Sequence, residues 1–179
     1  GAVVEYIVFD SSCSMELKST AATDCGMLAG LAWDATIRNI TNKGTMKYTG
    51  KSDSKKTNIA VVGMAFAETQ DVLIENVVNE GDLTAVSGGT NQNGGNAVHV
   101  AGILGFGTNH VDVSKIVHVK DCINRGNIES ATARASGIVA ACNRFTVIRG
   151  CENYGNNLNT FSEKTESAGS AARIGNITC

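Results

Sequence analysis

The sequence predicts an all-β solenoid, a single-stranded parallel β-helix of about five coils. Three observations point there: one motif recurs down the chain, glycine rather than proline supplies the turns, and the apolar runs are strand-length.

Four segments align without a gap: Ile37 to Gly44 (IRNITNKG), Ile74 to Gly81 (IENVVNEG), Val119 to Gly126 (VKDCINRG) and Ile148 to Gly155 (IRGCENYG). Asn42, Asn79, Asn124 and Asn153 never vary, nor do Gly44, Gly81, Gly126 and Gly155 two places later. A glycine-led apolar block precedes each motif, starting at Gly26, Gly63, Gly102 and Gly137. Block glycine and motif glycine are 18 residues apart in three copies and 24 in the third, so that copy carries six extra residues, expected near Asn109 to Ser114. One 179-residue β-helix domain follows, with a degenerate first coil at 1–24, repeats at about 25–57, 58–96, 97–132 and 133–166, and a partial last coil at 167–179. In the first coil Tyr6 is aligned with Ile37, Phe9 with Ile40 and Met15 with Met46. The partial last coil suggests a piece of a larger chain.

Twenty glycines, no proline and 42% hydrophobic residues exclude collagen, which needs a period of three, and disorder, which needs few apolar residues. A unit of such short runs cannot bury its inner face alone, so units must stack. Parallel stacking sets equivalent residues roughly 4.8 Å apart and turns the core into ladders. Ile37, Ile74, Val119 and Ile148 form one expected ladder, and Phe9, Ile40, Val77, Cys122 and Cys151 another. The invariant asparagine suits a corner that tolerates left-handed backbone, and its stacked amides can bond one another along the axis. On that reading Asn124→Leu costs on the order of 1 to 3 kcal/mol. The invariant glycines read as positive-φ turns or as points of close backbone approach.

The run from Gly137 to Gly155 (GIVAACNRFTVIRGCENYG) resembles the GLUG-type repeats of bacterial secreted and surface proteins, whose pattern is a Gly-rich apolar start, a spacer, Ile-x-Asn and a terminal Gly. The resemblance extends over about residues 6 to 179 and departs from the pattern at Ala140 and Gly150. It implies a right-handed β-helix, extracellular or cell-surface placement and adhesion. It carries no catalytic residue across.

Six cysteines in 179 residues are too few for a disulfide scaffold and match no zinc spacing, so no metal site is expected. Cys122 and Cys151 share a ladder position filled elsewhere by Ile40 and Val77, which reads as stacked buried thiols. Cys13 with Cys25 is the favoured pair if a disulfide forms. Asp71, Glu75, Asp82, Asp112, Asp121 and Glu129 fall on turns or outward positions alternating with Lys and Arg, the pattern of a solvated face. His99, His110 and His118 all lie in the third unit beside the insertion, so His99, His110 and Asp112 are the candidate binding residues against a background of surface histidines. GxSxG, P-loop and HExxH motifs are absent.

A net charge of −2 offers no basic face for nucleic acid, and no apolar run reaches the roughly 18 residues of a membrane span. The functional expectation is a non-enzymatic, adhesin-like binding module, secreted or on the cell surface, without a cofactor. Its partner would be a glycan or an extracellular host or matrix protein. A polysaccharide lyase or hydrolase fragment and a passive spacer are the alternatives.

Overall fold

Strand-forming runs separated by Gly, Asn and Asp corners give the chain nineteen described strands, and no helix occurs among the described residues. In this computed structural model those residues are 1–18, 23–50, 57–85, 98–109, 114–131, 134–159 and 173–175. The chain makes five passes. The first holds β1 (Val3–Phe9), β2 (Ser14–Leu17) and β3 (Thr23–Trp33); the second β4 (Thr36–Asn42), β5 (Thr45–Tyr48) and β6 (Thr57–Ala67). The third holds β7 (Val72–Asn79), β8 (Leu83–Ala85), β9 (Val98–Ala101) and β10 (Leu104–Asn109). The fourth holds β11 (Val117–Lys120), β12 (Ile123–Asn124), β13 (Ile128–Ser130), β14 (Arg134–Ser136) and β15 (Val139–Cys142). The fifth holds β16 (Thr146–Arg149), β17 (Glu152–Asn153), β18 (Asn157–Asn159) and β19 (Arg173–Gly175).

Every pass visits three sheets in the same order, and neighbouring strands come from successive passes and run parallel. Sheet A is β1-β4-β7-β11-β16 with β12 and β17; sheet B is β2-β5-β8-β13-β18; sheet C holds β3, β6, β9, β10, β14, β15 and β19. The architecture is therefore all-β, parallel-stranded and solenoid-like.

The inner ladders lie in register. Ile37 pairs Ile74, Ile74 pairs Val119 and Val119 pairs Ile148. Alternation sorts in from out: along β5, Thr45 and Lys47 are exposed while Met46 and Tyr48 are buried. One cluster, including Ile37, Ile74, Val119, Val62 and Leu104, fills the space between sheets A and C. A second, including Met46, Leu83, Ile128 and Val100, fills the space between sheets B and C.

Three expectations about register need correction. Met15 does pair Met46, but Ile37 pairs Val4 and Ile40 pairs Ile7, so Tyr6 and Phe9 are displaced by two positions. The turn after Phe9 is two residues longer than the turn after Asn42, which a gapless alignment cannot accommodate. Left-handed backbone is also not at the invariant asparagine but three places earlier: Tyr6 (φ 59°), Asn39 (57°), Asn76 (51°), Asp121 (51°) and Gly150 (62°) form one row across sheet A. Finally, equal distance from the motif glycine is not equal register. Gly63 follows Val62, which pairs Ala29 and Leu104, whereas Gly26 pairs Ala60, because β3 is irregular between Gly26 and Ala29. The six extra residues of the third unit lie between Gly107 and Val117, ten positions apart where Cys142 and Thr146 are four apart.

Candidate functional site

The invariant asparagines form one row, with Asn42, Asn79 and Asn124 buried and Asn153 half-buried. Asn42 Nδ2 donates to Asn79 Oδ1 at 2.7 Å, Asn79 Nδ2 to Asn124 Oδ1 at 2.7 Å, and Asn124 Nδ2 to Asn153 Oδ1 at 2.6 Å. Each amide also donates to the carbonyl of its own motif glycine, at 2.9 to 3.0 Å. The backbone carbonyls of Asn42, Asn79 and Asn124 each accept two N–H groups of the next pass: Asn79 O takes those of Arg125 and Gly126. With their amides engaged by one another and by the corner backbone, these asparagines hold the corners of the stack.

A second polar row was not foreseen. Asp24, Asn58, His99, Arg134 and Arg173 occupy one register position of sheet C. Asn58 Nδ2 donates to Asp24 Oδ1 at 2.5 Å, His99 Nδ1 lies 2.7 Å from Asn58 Oδ1, and Arg134 Nη1 lies 3.2 Å from His99 Nε2. A guanidinium only donates, so Nε2 accepts and the proton sits on Nδ1; the imidazole is neutral in this arrangement. His99 is buried and stacks on Phe106, ring centres 5.8 Å apart. It is thus no surface histidine, and it links a carboxylate to a guanidinium through neutral groups. The sequence carries a signal for this row: a polar residue stands two places before a small one in each unit, as in Asn58 and Ala60 or His99 and Ala101.

Of the other candidates, His110 and Asp112 lie outside the described residues. His118 is on sheet A, 3.5 Å from Asp71, in a different sheet from His99. The carboxylates are engaged locally. Asp71 accepts from Ile116 N–H, Asp82 from Asn127 N–H, and Glu75 pairs with Lys120 at 2.6 Å. Asp34 caps the next turn, accepting from Thr69 Oγ1 and the N–H groups of Glu68, Thr69 and Gln70. Desolvation opposes its charge, yet those hydrogen bonds hold the carboxyl well below the ordinary range. No group of three His, Cys, Asp or Glu among the described residues could hold a metal ion.

Cys13 and Cys25 are free thiols, which corrects the favoured disulfide: Cys25 Sγ points at Met15 Sδ, 3.6 Å away. Cys142 is the described cysteine that forms a disulfide, with a partner outside the described residues. Cys122 and Cys151 are free and adjacent, each one place before the paired residues Ile123 and Glu152. Hydrogen bonding to Cys151, together with burial, holds the Cys122 thiol well above its ordinary value. Cα atoms on parallel neighbours stand about 4.8 Å apart, inside the disulfide window. Oxidation by a small disulfide is expected to link the two and close a loop of about 30 residues, stabilising the chain by about 2 to 4 kcal/mol. Peptide mapping for the cross-link and a urea midpoint check this; Cys151→Val should gain neither.

The outer face of sheet C carries the largest exposed apolar side chains of its strands. Leu31, Met64 and Phe106 share one register row, and Trp33, Phe66 and Thr108 the next. Trp33 is 50% and Leu31 44% exposed. The Trp33 ring lies 5.0 Å from that of Phe66 at 60°, and its indole N–H donates to Glu68 Oε2 at 3.1 Å. These two contacts hold the half-exposed ring in place. Composition hinted at this strip only weakly, because aromatics make up 5% of the chain and fall at different offsets in each unit.

No protein-family model, curated protein or solved structure matches the chain.

Proposed function

We propose that the chain is a right-handed parallel β-helix of GLUG-type repeats serving as a non-enzymatic, adhesin-like binding module, secreted or displayed on a cell surface, with an extended glycan as ligand. The supporting observation is the aromatic strip of sheet C, above all the half-exposed, anchored Trp33 ring. A sugar presents an apolar C–H face that a fixed ring can cover, and its hydroxyls need acceptors such as the neighbouring carboxylate of Glu68. Rows repeating about every 4.8 Å suit a polymer better than a small compact ligand. Right-handedness follows the rule for parallel crossovers within one sheet. The Cys142 disulfide supports an oxidising compartment.

The test is retention of the full chain on a panel of immobilised polysaccharides, each inspected afterwards for shortened products. Retention without cleavage is expected, and Trp33→Ala should weaken it at least about tenfold, roughly 1.4 kcal/mol, while the unfolding midpoint stays close to that of the parent chain. Retention by no glycan would overturn the reading. Shortened products would move it to a lyase or hydrolase.

A further inference from the structure

Half of the side chains that make up the chain's six cysteines and four methionines converge on one place, which neither the amide row nor the aromatic strip uses. Cys13, Met15, Cys25 and Met27 of the first pass meet Met46 of the second where sheets B and C face each other. Met15, Met27 and Met46 belong to the core cluster between those sheets. Cys25 pairs with Ile59 of the same cluster, so its side chain points into the same space. The Cys25 thiol touches the Met15 thioether, Sγ to Sδ 3.6 Å, and Met46 is the register partner of Met15. Cys13 and Met27 come together over Gly44: a Cβ placed there would lie 2.9 Å from Cys13 Cβ and 2.9 Å from Met27 Cε.

Later passes fill the same rows with hydrocarbon. Met15 and Met46 are followed by Leu83 and Ile128, and Cys25 by Ile59, Val100 and Ala135. Packing alone is therefore served by leucine, isoleucine, valine or alanine at these positions. Sulfur adds what those side chains lack, a soft and polarisable lone pair. Cys13 and Cys25 are free thiols, so neither sulfur is spent in a disulfide. The set consists of thiols and thioethers, the donors that select copper(I) over cations seeking carboxylate or imidazole. Thioethers also explain why a search for three His, Cys, Asp or Glu side chains passes over this place.

We propose that this sulfur cluster binds one copper(I) ion, with Cys25 and Met15 as its first two ligands and the thioethers of Met27 and Met46 beside them. On binding, the Cys25 S–H bond breaks, a copper–sulfur bond forms and the proton leaves to solvent. The thioethers contribute lone pairs and have no proton to lose. The metal enters and stays as copper(I), so no electron is transferred. Trp33 stands on the outer face of sheet C, and retention on a glycan should be the same with and without the metal.

The test is an oxygen-free titration of the full chain with copper(I) against the chromogenic chelator bicinchoninate. One equivalent of copper(I) is expected to be withheld from the chelator. Met15→Leu combined with Cys25→Ala gives the two ligand positions side chains already present in their own rows, at Leu83 and Ala135, and an unchanged circular dichroism spectrum is expected. That variant should bind copper(I) at least about tenfold more weakly. Cys122→Val combined with Cys151→Val removes the chain's other adjacent free thiols and should leave the titration as it was. No copper(I) withheld by the parent chain, undiminished binding by the Met15→Leu, Cys25→Ala chain, or loss of binding in the Cys122→Val, Cys151→Val chain would each overturn the proposal.

Discussion

Asn124→Leu is expected to destabilise the chain by about 3 to 5 kcal/mol, more than a single lost hydrogen bond would. The leucine removes a donor from Asn153 Oδ1 and from Gly126 O, and leaves Asn79 Nδ2 facing a methyl group. Three polar groups in or beside a sealed column thus lose a partner, at about 1 to 3 kcal/mol each before relaxation. Urea denaturation followed by circular dichroism checks the figure, and a midpoint equal to that of the parent chain would remove the amide row from any account of stability. Neighbouring passes share these bonds, so the loss should be felt at both interfaces of the fourth pass, as in other repeat arrays.

Gly126→Ala is expected to cost on the order of 4 kcal/mol through overpacking. A Cβ built at Gly126 would stand 2.0 Å from Gly81 O and 2.9 Å from Asn79 Nδ2. The same closeness recurs at Gly155 against Gly126 O and at Gly81 against Gly44 O, 1.9 and 1.8 Å. The obstacle is backbone on one side and a fully bonded amide on the other, so nothing can swing away. Relief requires two passes to separate, which breaks the bonds from Arg125 and Gly126 N–H to Asn79 O. Thermal or urea unfolding of the variant checks this, and a loss below about 1 kcal/mol would mean that the corner is looser than its geometry implies. The role of these glycines is close approach. None of the four motif glycines has positive φ, and Gly150 alone among the described glycines does.

How much of this was legible follows from what repeats. A residue inside a stack must suit the pass above and the pass below, so Ile37, Ile74, Val119 and Ile148 keep one size, and the asparagine and glycine keep one identity. Those positions announce themselves. The positive-φ row does not, because tyrosine, asparagine, aspartate and glycine all occupy it and each meets the strain differently. The row from Asp24 to Arg134 is hidden for the opposite reason: its members must differ, each supplying the donor or acceptor that its neighbour lacks. The first pass was misaligned because its longer turn breaks the count while its apolar pattern survives a shift of two. Cys13 and Cys25 look like partners along the chain, but Cys13 sits at the turn into sheet B and Cys25 on sheet C, pointed at a methionine.

The amide row also gives the stack a direction. In each of the three steps from Asn42 to Asn153 the nitrogen of one asparagine faces the oxygen of the asparagine in the following pass. A unit therefore has a giving side and a receiving side, and Phe9, paired with Asn42, begins the series with a side chain that does neither. Gene duplication could lengthen such an array from within, since a copied unit arrives with both sides correctly oriented. An inserted unit facing the other way would set oxygen against oxygen at one junction and nitrogen against nitrogen at the other. The solenoid can grow in length, but it has only one way up.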